Sequence, residues 1–228
     1  MKKIMSYFSQ FEKIFLLTST ILIITVNLLF GGKSLFETTS SIIGVTSVLL
    51  CAKGNPIGHG LGIIFSLMYG YIAFTFKYYG EMITYLGMTA PMGAYALISW
   101  LKNPYDGKIS EVKIKKATKS ELLLLIPLTA IVTLLFYFVL KYLGTSSLLI
   151  STFSVSTSFA AVYLCAKRSP LYALAYALND VVLIILWIIA SVSDTSYVSI
   201  VVCFLIFLVN DIYGYCNWLK MARNQSDN

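Results

Sequence analysis

Charge is scarce in this chain: 12% of its 228 residues are Asp, Glu, Lys or Arg, against 58% hydrophobic. That balance excludes a water-soluble fold, because no aqueous core absorbs so much apolar surface. Histidine is nearly absent, with His59 alone, and the four cysteines (51, 165, 203 and 216) stand at no metal-ligand spacing. No metal centre and no disulfide framework is therefore expected, and Cys51 and Cys165 are read as small packing residues. The chain lacks a G-x-x-x-x-G-K-[ST] loop, which excludes a P-loop motor, and no cofactor motif is present. One histidine and scattered aspartates do not make the paired acid and base that an enzyme of lipid-linked substrates needs, so a non-enzyme is expected. A sensor or assembly subunit would need an interaction domain or tail, and none is seen.

What the chain has instead is apolar runs of membrane-spanning length. A bilayer core about 30 Å thick takes about 20 helical residues to cross. Eight runs fit, at 14–30, 35–52, 57–76, 82–101, 121–143, 148–166, 170–191 and 197–219. Stretches such as Leu122 to Leu125 do not alternate in polarity as barrel strands do, so the expectation is an all-α integral membrane protein. The first run follows lysines as a signal peptide would, but Leu28-Leu29-Phe30-Gly31-Gly32 is a poor cleavage site, and the run is kept as a helix.

Basic residues orient the runs. With the N-terminus inside, 14 of the 17 Lys and Arg residues fall on the cytoplasmic side, including Lys2, Lys3, Lys13, Lys53, Lys167, Arg168 and Lys220. Lys33, Lys77 and Lys141 fall outside. The link from Lys102 to Lys119 holds six lysines against Asp106 and Glu111, which makes it hard to export. Both termini are expected in the cytoplasm, and the net charge of +7 points to anionic lipid rather than nucleic acid.

Residues 50–53 read Leu-Cys-Ala-Lys, and so do residues 164–167, each followed by a proline three residues on (Pro56, Pro170). This offset of 114 pairs Phe65 with Asn179 and Ser66 with Asp180. A slightly larger one pairs Trp100-Leu101-Lys102 with Trp218-Leu219-Lys220. Residues 35–102 and 148–220 then each form a three-helix bundle. A basic link (103–120) and a connecting helix (121–147) separate them, with an additional helix in segment 1–34 and a cytoplasmic tail at 221–228. Three helices reverse sides, so one helix between copies makes a parallel 3+1+3 repeat, the kind of duplication that encloses a substrate path in transporters.

Few polar groups interrupt the runs: Asn27, Asn179, Asp180, Asn210 and Asp211. An aspartate at the bilayer centre costs about 2.5–3.5 kcal/mol, so it faces a cavity or a partner; interhelical bonding is the plain alternative. Tyr172, Tyr176, Asn179, Leu183 and Trp187 share one helix face, while Asn210, Tyr213, Gly214 and Asn217 form another, with Asp211 and Trp218 beside it. Aromatic planes, amides and a carboxylate suit a heteroaromatic base, ribose hydroxyls and a delocalised cation. Trp100 and Trp218 also read as interfacial anchors. His59, between two glycines beside a lysine, is expected to be a hydrated helix-end residue. Small residues at 58, 62, 66 and 70 allow close packing, and Pro91 and Pro127 are expected kinks, Pro91 a candidate moving joint.

The motifs Asn55-Pro56-Ile57-Gly58-His59, Tyr78-Tyr79-Gly80-Glu81-Met82 and Asn210-Asp211-Ile212-Tyr213-Gly214 with Asn217-Trp218 resemble the PnuC family of nicotinamide riboside transporters. The resemblance runs from about residue 35 to 220 and implies a SWEET-like 3+1+3 arrangement, a homotrimer, and facilitated diffusion of an NAD precursor trapped by cytoplasmic phosphorylation. It places Asn179, Asn210, Tyr213 and Trp218 at the substrate. Relatives in the wider group are assigned thiamine, riboflavin or deoxynucleosides, which stay open as substrates, and Tyr172 and Ala175 stand where many members carry tryptophans.

Overall fold

Hydrocarbon offers no partner to a free N–H or C=O, so a spanning chain satisfies its backbone internally. The structure, a computed structural model, describes residues 7–30, 35–145 and 147–226. Lys2, Lys3, Lys33 and the Gly31-Gly32 pair, which bear on the expected orientation and cleavage, lie outside the described residues.

The elements run α1 (Gln10–Leu29), α2 (Leu35–Ala52), α3 (Ile57–Thr75), α4 (Tyr79–Ile83), a π-helical turn (Thr84–Thr89), α5 (Ala90–Leu101), β1 (Pro104–Tyr105), β2 (Lys108–Val112), α6 (Lys119–Tyr142), α7 (Leu148–Ala166), α8 (Leu171–Ser191), a 3₁₀ turn (Thr195–Tyr197) and α9 (Val198–Ser226). Among the described residues, 7 helices are long and apolar enough to cross a membrane. The expected run at 82–101 is helical too, but in three pieces. Pro91 explains the break: its ring has no N–H and crowds the carbonyl four residues back, and the wider π turn that ends just before it relieves both. Pro127 lies inside α6 without interrupting it.

Two turns are built alike. At the end of α2, Gly54 (φ 70°) donates to the Cys51 carbonyl at 2.9 Å and Asn55 to the Leu50 carbonyl at 3.0 Å. At the end of α7, Arg168 (φ 61°) donates to Cys165 at 2.9 Å and Ser169 to Leu164 at 3.0 Å. Both are left-handed C-terminal caps. The basic link binds both turns. Its β1–β2 hairpin closes on Asp106 and Gly107, both at positive φ as a type I′ turn requires, and Val112 N–H then reaches the Gly54 carbonyl while Lys115 N–H reaches that of Arg168.

α3 packs between α2 and α5, and α8 between α7 and α9. These groups meet along two seams, α2 on α9 and α5 on α7. α6 lies against α7 and leaves Leu123, Ile126, Leu134 and Phe138 exposed, as a lipid-facing helix does. The α2–α3 approach needs Gly58, where an added Cβ would fall 2.6 Å from Cys51 Sγ and 2.8 Å from the Ser47 carbonyl.

α1 is tied to the rest through Glu12. This residue caps its own helix through Ser9, and its buried carboxylate also takes Lys53 Nζ at 2.9 and 3.0 Å and the Tyr213 hydroxyl at 2.7 Å. Lys53 in turn lies over the Tyr7 ring at 4.8 Å.

Removing one partner of a buried ion pair leaves the other uncompensated, at about 3–5 kcal/mol. Glu12→Ala is expected to lower the melting temperature in detergent markedly, and Glu12→Ala with Lys53→Met to cost less than the two single changes summed. Gly58→Ala, pressed against backbone that cannot move aside, is expected to cost about 1–3 kcal/mol in the same melts.

Candidate functional site

The seams enclose a cavity of about 100 Å³ at the middle of the bundle. Its walls come from both groups of helices: Phe65 and Ser66 on α3, Tyr85 and Thr89 on the π turn, Tyr176, Asn179 and Asp180 on α8, and Phe207 and Asp211 on α9. The broken helix 79–101 matters here, because the π turn is the part of it that delivers Tyr85 and Thr89 to the wall.

Asn179 is held from behind. Thr157 Oγ1 and Ser158 Oγ on α7 lie 2.8 and 2.9 Å from its Oδ1, so the amide oxygen is occupied and Nδ2 is the group left to donate. One residue on, the Asp180 carboxyl lies directly against that of Asp211 across the α8–α9 contact. Both side chains are buried, and among the described residues Asp180 Oδ2 has no hydrogen-bond partner. Among the described residues, no Lys or Arg lines the cavity. The result is an aromatic chamber with an amide donor and two carboxyl groups side by side.

The floor, at the lysine-rich end, is formed by Cys51, His59, Cys165 and Tyr172. His59 is therefore no hydrated helix end: it is 8% exposed, edge-on to Trp100 with ring centroids 4.2 Å apart. Its Nδ1 faces Cys51 Sγ at 4.0 Å and its Nε2 faces Cys165 Sγ at 3.6 Å. The sulfurs stand against opposite ring nitrogens, so no single ion position has both, and among the described residues no group of three His, Cys, Asp or Glu is placed to hold a metal.

The sequence-derived candidates divide. Tyr176, Asn179, Asp180 and Asp211 come together on the cavity wall. Asn210 is buried beside Asp211 but is not on the wall. Trp187 lies farther out, donating Nε1 to the Tyr69 hydroxyl at 2.8 Å and packing on Tyr78 and Tyr197. Tyr213 is turned outward to Glu12, while Asn217 and Trp218 hydrogen-bond to the carbonyls of Ala52 and Cys51. Trp100 and Trp218 are 0% exposed, which removes them from the bilayer interface. A helical face was readable for all of these; which neighbour each face meets was not. Phe65 and Ser66 went unremarked as site residues, although the repeat offset already paired them with Asn179 and Asp180. Tyr85 and Phe207 had no signal beyond being aromatic in an apolar run.

Comparison with known proteins agrees with this architecture. Residues 34–220 match the nicotinamide mononucleotide transporter family. The nicotinamide riboside transporter PnuC of Haemophilus influenzae is 30% identical over 185 residues, which cover 81% of this chain and 79% of that protein. The nicotinamide riboside transporter PnuC of Neisseria mucosa is 26% identical over 202 residues, covering 86% and 76%. The crystal structure of the vitamin B3 transporter PnuC superposes with a TM-score of 0.84 at 25% identity, covering 96% of this chain and 94% of that one. With most of its length matched in sequence and nearly all of it in fold, the chain belongs to the nicotinamide mononucleotide transporter family, among the PnuC membrane transporters.

Proposed function

We propose that the protein carries nicotinamide riboside, an NAD precursor, across the bacterial cytoplasmic membrane by facilitated diffusion, with both termini inside and phosphorylation trapping the product. The observation that carries this reading is the Asp180–Asp211 pair in an aromatic cavity that, among the described residues, no lysine or arginine lines. A pyridinium is a flat, delocalised cation: it stacks on tyrosine and phenylalanine rings, and its charge offsets the repulsion between adjoining carboxylates in surroundings of low dielectric. Asn179 Nδ2 is then a donor for a ribose hydroxyl. The same chemistry separates the riboside from the mononucleotide named in the family description. A phosphate brings about −2 charge and calls for Arg, Lys or a helix N-terminus, and the wall offers carboxyl groups. Uncharged riboflavin and deoxynucleosides make no use of the pair, whereas thiamine, also a cation, competes on charge and is separated by ring shape. Of the sequence-derived candidates, Tyr176, Asn179, Asp180 and Asp211 are assigned to the substrate, and Trp187, Asn210, Tyr213, Asn217 and Trp218 to the frame around it.

Transport follows from a parallel 3+1+3 repeat, with units 35–102 and 148–220 rocking about the site, 103–120 linking them on the cytoplasmic side, α6 connecting and α1 additional. Three features support the repeat. The left-handed caps at Gly54 and Arg168 stand at the 114-residue offset and both receive the link. Phe65, Ser66, Asn179 and Asp180, paired by that offset, line one cavity. The two seams are reciprocal, each joining the first helix of one unit to the last of the other. The clustering of lysines with both cap turns supports their end as cytoplasmic. The assembly proposed on the family resemblance is a homotrimer.

In proteoliposomes the protein is expected to show saturable uptake of nicotinamide riboside, with nicotinamide mononucleotide failing to compete. Asp180→Asn and Asp211→Asn are each expected to raise the half-saturation concentration about tenfold, the effect of about 1.4 kcal/mol. Unchanged uptake in the double variant would sink the charge-balance role. Because the substrate carries one positive charge, an inside-negative potential of about 100 mV should raise equilibrium accumulation roughly 50-fold, from about 2.3 kcal/mol per charge. Accumulation indifferent to potential would mean exchange for another cation.

A further inference from the structure

Beneath the cavity floor the two units exchange hydrogen bonds in matched pairs. On α5, Trp100 Nε1 donates to the Cys165 carbonyl at 3.0 Å and Ser99 Oγ to the Ala166 carbonyl at 2.8 Å, at the end of α7. On α9, Trp218 Nε1 donates to the Cys51 carbonyl at 3.0 Å and Asn217 Nδ2 to the Ala52 carbonyl at 2.9 Å, at the end of α2. The acceptors are the two residues of the repeated Cys-Ala dipeptide, and the donors precede the repeated Leu-Lys. Each unit's last helix thus holds the other unit's first by the same two bonds.

The indoles also touch. Trp100 and Trp218 ring centroids are 5.1 Å apart, and Tyr172 lies 4.8 Å from Trp218, its hydroxyl donating to the Cys51 carbonyl at 3.1 Å. Together with His59 against Trp100 they form an aromatic layer between the cavity and the lysine-rich end.

We propose that this reciprocal clasp is the cytoplasmic gate: the indoles part when the two units rock, and the cavity then opens inward between them. This rests on the transport reading above. The bonding suits a gate that must break and reform in every cycle. Cys51 and Cys165 carbonyls also accept the cap N–H groups of Gly54 and Arg168, so neither acceptor is orphaned when an indole leaves. The acceptors are backbone at helix ends, where carbonyls lack their usual intrahelical partner, so they keep their positions while side chains move. The matched geometry also means that neither unit can release alone without straining the other.

The test uses the full chain with Cys216→Ser, which removes the exposed thiol. Cys51 and Cys165 then report on the cavity floor, and Cys203, buried near the opposite end among Phe204 and Tyr69, serves as the control. Labelling by a charged methanethiosulfonate is followed peptide by peptide by mass spectrometry. Trp100→Phe and Trp218→Phe, which keep a ring and lose the N–H, and the milder Ser99→Ala and Asn217→Ala, are each expected to speed labelling of Cys51 and Cys165 about tenfold, leaving Cys203 unchanged. No acceleration at the floor in any of the four variants, or acceleration shared by Cys203, would overturn the gate. Floor labelling that responds in this way in a protein without nicotinamide riboside uptake would instead overturn the substrate reading and leave the gate standing.

Discussion

Two carboxyl groups held against one another in the apolar middle of a helix bundle are a standing cost, since each aspartate at a bilayer midplane adds about 2.5–3.5 kcal/mol on insertion scales. Asp180 and Asp211 are kept there by the close α8–α9 packing. Around them Asn179 is fixed from α7, and α3, the π turn, α8 and α9 together supply aromatic walls. A cationic ring entering the chamber offsets what the pair costs when empty. On the proposed function, binding and conformational strain act on the same two residues, which is how a carrier couples occupancy to movement.

The frame that holds this pair is symmetric in its turns and asymmetric in its cavity wall. Corresponding turns, corresponding seams and corresponding indole bonds recur in the two units, while the offset partners of Asn179 and Asp180 are Phe65 and Ser66. Residues 148–220 thus supply Asn179, Asp180 and Asp211 as well as Tyr172, Tyr176 and Phe207, while residues 35–102 add Phe65 and Tyr85 from the facing side. Under the rocking mechanism proposed above, matched ends around an unmatched middle would let one movement open either face without rebuilding the site.

The expected spans were legible because membrane crossing imposes length and apolarity directly on the sequence. The run at 82–101 was legible as helix but not as three pieces: Pro91 marked a disturbance, and only the packing of Tyr85 and Thr89 toward the cavity shows that a π turn was the outcome. In the site, Asp180 and Asp211 stood out because a carboxylate in an apolar run has few bland explanations. Tyr213, Asn217 and Trp218 lay on the same stripe, and a stripe says nothing about which helix it meets; Glu12, Ala52 and Cys51 are 201, 165 and 167 residues away. His59 looked like a solvated end beside Lys53. The lysine turned instead to Glu12, and Trp100 covered the imidazole.

If charge balance at the aspartate pair selects the ligand, affinity must follow the charge on the ring rather than its outline. The direct measurement is calorimetric binding of nicotinamide riboside against its dihydro form, which keeps the ribose and the carboxamide and loses the positive charge. The account predicts at least about tenfold tighter binding of the cation, or about 1.4 kcal/mol. Equal affinity for the two forms, or preference for the neutral one, would contradict it.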